Sequence, residues 1–321
     1  MPSSTSNSEL ASGADHVPAR STSIDRRHLI LILAVLALCA AGIEAGVRFG
    51  FARISRIERR IRTEHTAALN LRRSSSETPV LLAGDSLLLM DVDLNVLPRT
   101  LHAKVSLQRF SVEQTTYLDW LFGLRRLFSD GARPAVVVLC LAPFNLTTAS
   151  IRGDYSAFYL FKPDDIADIS KRINYDLTKQ SSLLFAHYSL FFAGRSNLRN
   201  FVLSTVFPAY AHTLHDLETH GPPPLSDEEF LRVCRPRFRE LEELCESYGA
   251  RLAYVIPPGF GIPERAIVQA GSQAGAAVLV PVHSDAWPQS KFLDGFHLSE
   301  SSANEFTEKL GPSLDALLAS F

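Results

Sequence analysis

The sequence predicts an α/β domain with a parallel sheet covered on both faces, carried behind one N-terminal apolar helix. Three observations predict it. Strand and helix signals alternate from Pro79 to the C-terminus, the pattern of successive βαβ units. Residues 135–141 read AVVVLCL between Pro134 and Pro143, a β-branched run typical of a central parallel strand. One segment, residues 29–43, is apolar without interruption and is the candidate for crossing a bilayer.

Residues 1–25 are rich in Ser, Thr, Ala and Gly and lack apolar periodicity, so they read as a disordered tail. Arg26, Arg27 and His28 precede the apolar run. Counting past Glu44 to Val47 gives a stretch long enough to span, with Glu44 snorkelling near one end, and the anchor is placed at 28–48. A cleaved signal peptide has the same apolar length. However, there is no clean A-x-A site, and Cys39 lacks a small residue before it, which favours a retained anchor. Arg20, Arg26 and Arg27 flank one side, against Arg48, Arg53, Arg56, Arg59, Arg60 and Arg62 on the other. The positive-inside rule alone puts the C-terminal side in the cytoplasm.

Residues 49–78 read as a juxtamembrane helix and linker. Phe51, Ile54, Ile57 and Ile61 recur at helical spacing with arginines between them. That pattern fits an arginine face on anionic headgroups or a solvated spacer helix. Residues 72–78 are polar, and the main domain is placed at 79–321. Its strands are predicted at 79–83, 104–107, 135–141, 251–256 and 277–280. Its helices are predicted at 112–128, 226–248, 263–274 and from 299 to the C-terminus. The second of these opens on a capping box, Ser226 with Glu229.

Residues 146–225 interrupt the alternation and read as a helical insertion. They hold Tyr155, Phe158, Tyr159, Phe161, Phe185, Tyr188, Phe191 and Phe192, which suit either core packing or stacking on sugar rings. His187, His212, His215 and His220 lie there too, at no spacing that holds a metal, and they read as surface or capping histidines.

Acidic residues number 34 and basic residues 32, a net charge of −2, which argues against a general nucleic-acid binder. The four cysteines form no CxxC or Cys/His cluster, so no structural zinc is expected, and nothing in the sequence calls for a cofactor. Cys234 and Cys245 share one predicted helix; eleven residues of rise, roughly 16 Å, is too far for a disulfide.

The chemistry concentrates at two places. Residues 80–86 read VLLAGDS, an apolar strand running into Gly84, Asp85, Ser86 and a helix start. Ligands of open α/β sheets bind outside the carboxyl ends of the strands, where Ser86 would sit with its N–H in the first helical turn. Alone, this could be a helix cap made by Asp85 or Ser86. The second place, Asp294-Gly-Phe-His297, follows the last strand and precedes the closing helix. With His297 as base, Asp294 can reach back to its Nδ1 and hold the tautomer that accepts a serine proton.

Gly84-Asp85-Ser86 and Asp294-x-x-His297 together resemble the first and last blocks of the SGNH, or GDSL-type, hydrolase superfamily. The resemblance implies a flavodoxin-like three-layer α/β/α fold and serine ester hydrolysis or acyl transfer. It makes Ser86 the nucleophile, His297 the general base and Asp294 its orienting acid. The family's G-x-N-D block falls on Pro143-Phe144-Asn145-Leu146, so Asn145 matches the oxyanion-hole asparagine beside the Ser86 N–H. The second block falls on residues 106–111, which lack its glycine, and Gln108 or Arg109 stands in that place. An apolar anchor joined to such a domain is similar to the membrane-tethered branch. That branch includes alginate and cellulose O-acetyltransferases and the D-alanyl transfer proteins of teichoic acid. It implies a bacterial inner-membrane protein whose domain faces the periplasm or cell exterior. It also implies an acyl donor, a glycan or polymer acceptor, and a multi-pass membrane acyltransferase as partner. That topology conflicts with the arginine count. Two other readings stay open: a catalytically weak binding or scaffold subunit, and a lipid esterase or thioesterase.

Overall fold

The computed structural model describes residues 25–73, 76–207, 225–259 and 261–320. Residues 1–24 of the expected tail, and His212, His215 and His220, lie outside them. By its contacts the chain divides after Ile43 into an N-terminal unit and a unit from Glu44 to Phe321.

Helix α1 (Arg26–Gly46) is long and apolar enough to cross a membrane, and it fits a single-pass anchor or a signal sequence. A π-helical turn (Val47–Phe51) and a short turn (Ala52–Ile54) lead to α2 (Arg56–Leu69). Then follow β1 (Thr78–Gly84), α3 (Ser86–Asp91), β2 (Val105–Ser111), α4 (Tyr117–Ser129) and β3 (Val136–Cys140). Among the described residues five α-helices come next: α5 (Pro143–Thr147), α6 (Asp154–Tyr159), α7 (Ile166–Arg172), α8 (Leu177–Tyr188) and α9 (Leu190–Val206). The chain closes with α10 (Asp227–Ser247), β4 (Arg251–Val255), α11 (Glu264–Ala274), β5 (Ala277–Leu279) and α12 (Glu300–Leu318).

All five strands run parallel in the order β2-β1-β3-β4-β5, the flavodoxin-like doubly wound order. Strand side chains alternate between faces. Leu81, Ala83, Val137, Leu139, Leu252 and Tyr254 enter one core with α2, α4, α10 and α11. Val80, Leu82, Val136, Val138, Ala253 and Val255 enter a second core with α3 and α12. The predicted three-layer α/β/α class is what these two cores describe.

Several elements differ from their sequence reading. The strand predicted at 104–107 runs on to Ser111, because β1 offers it a backbone partner along its full length. The helix predicted from 112 begins at Tyr117. A Thr116–Asp119 capping box sets that start, and residues 112–116 form the loop leaving β2.

Helix α2 is not a solvated spacer, because one of its faces packs into the core. Ile54 and Ile57 are exposed, while Glu58, Ile61 and Ala68 are buried on the sheet side. Burying Ile61 contributes roughly 1.5–3 kcal/mol. Glu58 accepts the hydroxyl of Tyr155 at 2.9 Å, that of Tyr159, and Arg62 Nε at 2.9 Å. Glu44 does not snorkel. It accepts Ser189 Oγ at 2.7 Å and the Leu190 and Phe191 amides at 2.8 and 3.1 Å, and so caps α9.

The insertion's aromatics divide. Tyr155, Tyr159 and Phe161 are buried as core, and Phe185 and Tyr188 are exposed. His187 Nδ1 lies 3.0 Å from the Ala157 carbonyl, a structural contact. Cys234 and Cys245 share α10, unbonded and buried.

Candidate active site

Gly84 ends β1 where β3 comes close: a Cβ there would sit 2.0 Å from the Cys140 carbonyl oxygen. Only a residue without a side chain lets the two strand ends meet, and the Asp85 amide then donates to that same carbonyl at 3.2 Å. Asp85 is the N-cap of α3, accepting from the Leu87 amide at 3.0 Å. Its other oxygen accepts the Ala142 amide at 3.1 Å and Asn145 Nδ2 at 2.8 Å. One buried carboxylate thus ties the turn after β1 to the turn after β3. Burial raises the Asp85 carboxyl above its ordinary value, and these three hydrogen bonds act against that.

Ser86 opens α3, so its N–H belongs to the first turn, which has no intrahelical acceptor. From the far end of the chain His297 Nε2 stands 3.0 Å from Ser86 Oγ. His297 Nδ1 stands 2.8 Å from Asp294 Oδ2. Asp294 Oδ1 accepts the His297 and Phe296 amides at 2.7 and 3.0 Å. Burial works against ionising Asp294, but the bonds from His297 and Phe296 win and hold its carboxyl down at about 2. An ionised Asp294 requires the proton on Nδ1, which leaves Nε2 as the acceptor facing the hydroxyl.

A residue that sequence reasoning missed fixes this loop. Asp91, at the end of α3 and fully buried, accepts the Leu298 amide at 2.9 Å. Its second oxygen finds no hydrogen-bond partner. Burial drives its carboxyl well above the ordinary range, helped by nearby Asp85 and Asp294. Next to the apolar run in SLLLMD it carries no motif, and only the fold reveals it.

The second-block positions are corrected by the sheet register. Gln108 pairs with Leu81 and Arg109 with Leu82, short of the strand end where Ser111 pairs with Gly84. Arg109 Nε donates to Glu64 Oε1 at 3.0 Å. Neither residue reaches the sheet rim, so neither completes an oxyanion hole. The segment that leaves the rim is 112–116. The Val112 amide donates to the Gly84 carbonyl at 3.0 Å, and the Ser111 amide to Glu64 Oε2 at 2.9 Å. Arg60 Nη1 donates to both the carbonyl and the hydroxyl of Ser111 at 2.8 Å. The left-handed residue of this segment is Gln114, at φ 60°.

Asn145 is half-buried, with one of its two Nδ2 protons committed to Asp85. Beside His297 opens a cavity of about 480 Å³ whose walls include Leu87, Phe144, Phe230, Pro257, Ile262 and Phe296. None of the eight insertion aromatics singled out from the sequence lines it. Among the described residues no cluster of three His, Cys, Asp or Glu could hold a metal ion.

No family model matches the chain, and no curated protein matches it. Several solved structures are similar to it, including the following two. One, TesA, is 13% identical with a TM-score of 0.37, over 75% of this chain and 99% of that one. The other, described as an acylhydrolase from Bacteroides fragilis, is 10% identical with a TM-score of 0.41, over 82% of this chain and 97% of that one.

Proposed function

We propose that this chain is a serine acyl-transfer enzyme, an acylesterase or O-acyltransferase of SGNH type. The observation that carries the proposal is the relay from Ser86 Oγ to His297 Nε2, 3.0 Å, and from His297 Nδ1 to Asp294, 2.8 Å. Ser86 lies 208 or more positions from Asp294 and His297 in sequence, yet the three come together in the order that serine activation requires. Ser86 Oγ attacks the acyl carbonyl as its proton passes to Nε2. The tetrahedral intermediate collapses, and the leaving oxygen or sulfur takes that proton. Water or a sugar hydroxyl then attacks the acyl-serine, giving its proton to Nε2, from which it returns to Ser86 Oγ. The Ser86 N–H and the remaining Nδ2 proton of Asn145 are the donors for the oxyanion.

In the same proposal α1 tethers the enzyme to a bacterial inner membrane, with the domain in the periplasm or cell exterior. The acceptor is an envelope glycan, and a multi-pass acyltransferase is the partner. No cofactor is required.

A second reading, a binding subunit with weak or no catalysis, draws on one observation. Both backbone amides at the end of β2 already have acceptors, Glu64 and the Gly84 carbonyl, and losing one oxyanion donor costs about 10²–10³ in rate. Fluorophosphonate labelling separates the two. Wild type should label and Ser86→Ala should not. Absence of labelling beside a reacting control serine hydrolase refutes the enzyme reading.

A further inference from the structure

We infer that the cavity beside His297 is an acyl-chain site, and that this enzyme handles acyl groups well beyond acetyl; the inference rests on Ser86 being the nucleophile. The cavity starts at the two residues that follow and precede the reacting pair. Leu87 follows Ser86, and Phe296 precedes His297 and stacks on its edge with ring centres 5.0 Å apart. A chain whose carbonyl carbon is bonded to Ser86 Oγ therefore has this space open beside it.

The walls exclude a sugar. Their side chains are leucine, proline, phenylalanine and isoleucine, with glycine backbone and two threonines, and none is charged. Thr147 Oγ1 and Thr148 Oγ1 both donate to the Phe144 carbonyl, at 3.0 and 2.7 Å. A pyranose ring would bury hydroxyls here without partners, at a cost of about 1–3 kcal/mol each. A polymethylene chain meets no such cost.

The size is too large for acetyl. A cavity of roughly 150 Å³ takes a benzene ring, and this one, at about 480 Å³, is about three times that. Phe144 and Phe296 face each other across 5.8 Å, and Pro143, the residue standing where the G-x-N-D pattern has glycine, contributes part of the wall.

The test is an ester series on the full chain in detergent: p-nitrophenyl acetate, butyrate, hexanoate and octanoate. kcat/KM should rise about fourfold per added methylene until the cavity fills. Octyl acetate, which carries the methylenes on the leaving group, should gain far less. Ile262→Trp, which places an indole in the cavity, should cut the octanoate-to-acetate ratio at least about tenfold. A flat acyl series, a rise with octyl acetate instead, or an unchanged ratio in the tryptophan variant would overturn the acyl-chain site. In each case fluorophosphonate labelling of Ser86 would persist. Loss of both labelling and hydrolysis in wild type would instead refute the serine reading itself.

Discussion

Asp294→Asn isolates what the acid of the relay does. In the native site Asp294 plays two parts with two oxygens. Oδ1 holds the loop by accepting the His297 and Phe296 amides, and Oδ2 faces His297 Nδ1. An asparagine keeps the first part through its Oδ1 and reverses the second, because its NH2 group now points a donor at Nδ1. The imidazole must respond with its proton on Nε2, the atom 3.0 Å from Ser86 Oγ, and Nε2 then donates to Oγ where a proton acceptor is needed. In serine triads the same exchange costs about 10⁴ in kcat, about 5 kcal/mol of transition-state stabilisation. The expected result is a fall of about 10⁴ in the turnover of a p-nitrophenyl ester, with fluorophosphonate labelling slowed in parallel. The melting temperature should stay within a few degrees, since the loop bonds survive. Turnover within tenfold of wild type at an unchanged melting temperature would mean that Asp294 does not set the His297 tautomer. Because its carboxyl is held at about 2, Asp294 stays ionised above pH 4 and adds no limb to the pH–rate profile there.

Two further outcomes follow from buried groups. Asp91→Asn keeps an acceptor for the Leu298 amide and should retain activity within a few fold. Asp91→Ala strands that buried donor at about 1–3 kcal/mol and should lower the melting temperature by several degrees and kcat with it. Since the folded carboxyl of Asp91 is raised, its stabilising share is full at low pH and is lost as pH climbs through the raised value. Thermal melts across pH should show that the Asn variant lacks this loss. His65, half-buried against Phe110, has its imidazole pushed down to about 4, first by burial and then by Arg126. The unfolded chain takes up this proton near pH 6.5 and the folded chain does not. Stability is therefore full above 6.5 and drains away toward pH 4, by up to about 3 kcal/mol. Denaturant titrations at pH 7 and pH 4.5 should show a markedly smaller difference in His65→Phe than in wild type.

What the sequence disclosed and what it withheld separate along physical lines. The central strand was legible because β-branched residues between two prolines have few other structures to adopt. Gly84-Asp85-Ser86 and Asp294-x-x-His297 were legible because each is a local pattern fixed by a turn. The start of α4 was misplaced because Val112 is apolar and no glycine or proline separates it from the stripe of Tyr117, Leu121, Leu124 and Phe128. Thr116 and Asp119, three apart, were the cap that marked the true boundary. The docking of α2 was not legible. Its buried face is built on Glu58, Ile61 and Ala68, and Glu58 is a core position only because Tyr155 and Tyr159 arrive from the insertion to meet it. Glu44 shows the same limit, since its carboxylate looks like a flaw in an apolar run until Ser189 and the start of α9 are placed against it.

The departures from the SGNH pattern are coupled through Asp85 and β2. Pro143 removes a backbone donor from the turn after β3 and places a ring in the wall of the cavity. The neighbouring Ala142 amide and Asn145 side chain then anchor that turn to Asp85. On the other flank, the end of β2 is held by Glu64 and Arg60 of α2, residues from outside the stretch in which the family pattern appears. The turn beyond it is left-handed at Gln114, where a side chain must tolerate a conformation that glycine adopts freely. A site so arranged keeps the proton relay of its resemblance intact. In the proposed reaction the Ser86 N–H and Asn145 would carry the oxyanion stabilisation, beside a turn whose Pro143 ring is part of an apolar wall. Low intrinsic rates on acetate and a strong gain with longer acyl chains are two consequences of that one rearrangement, and measuring them together tests it.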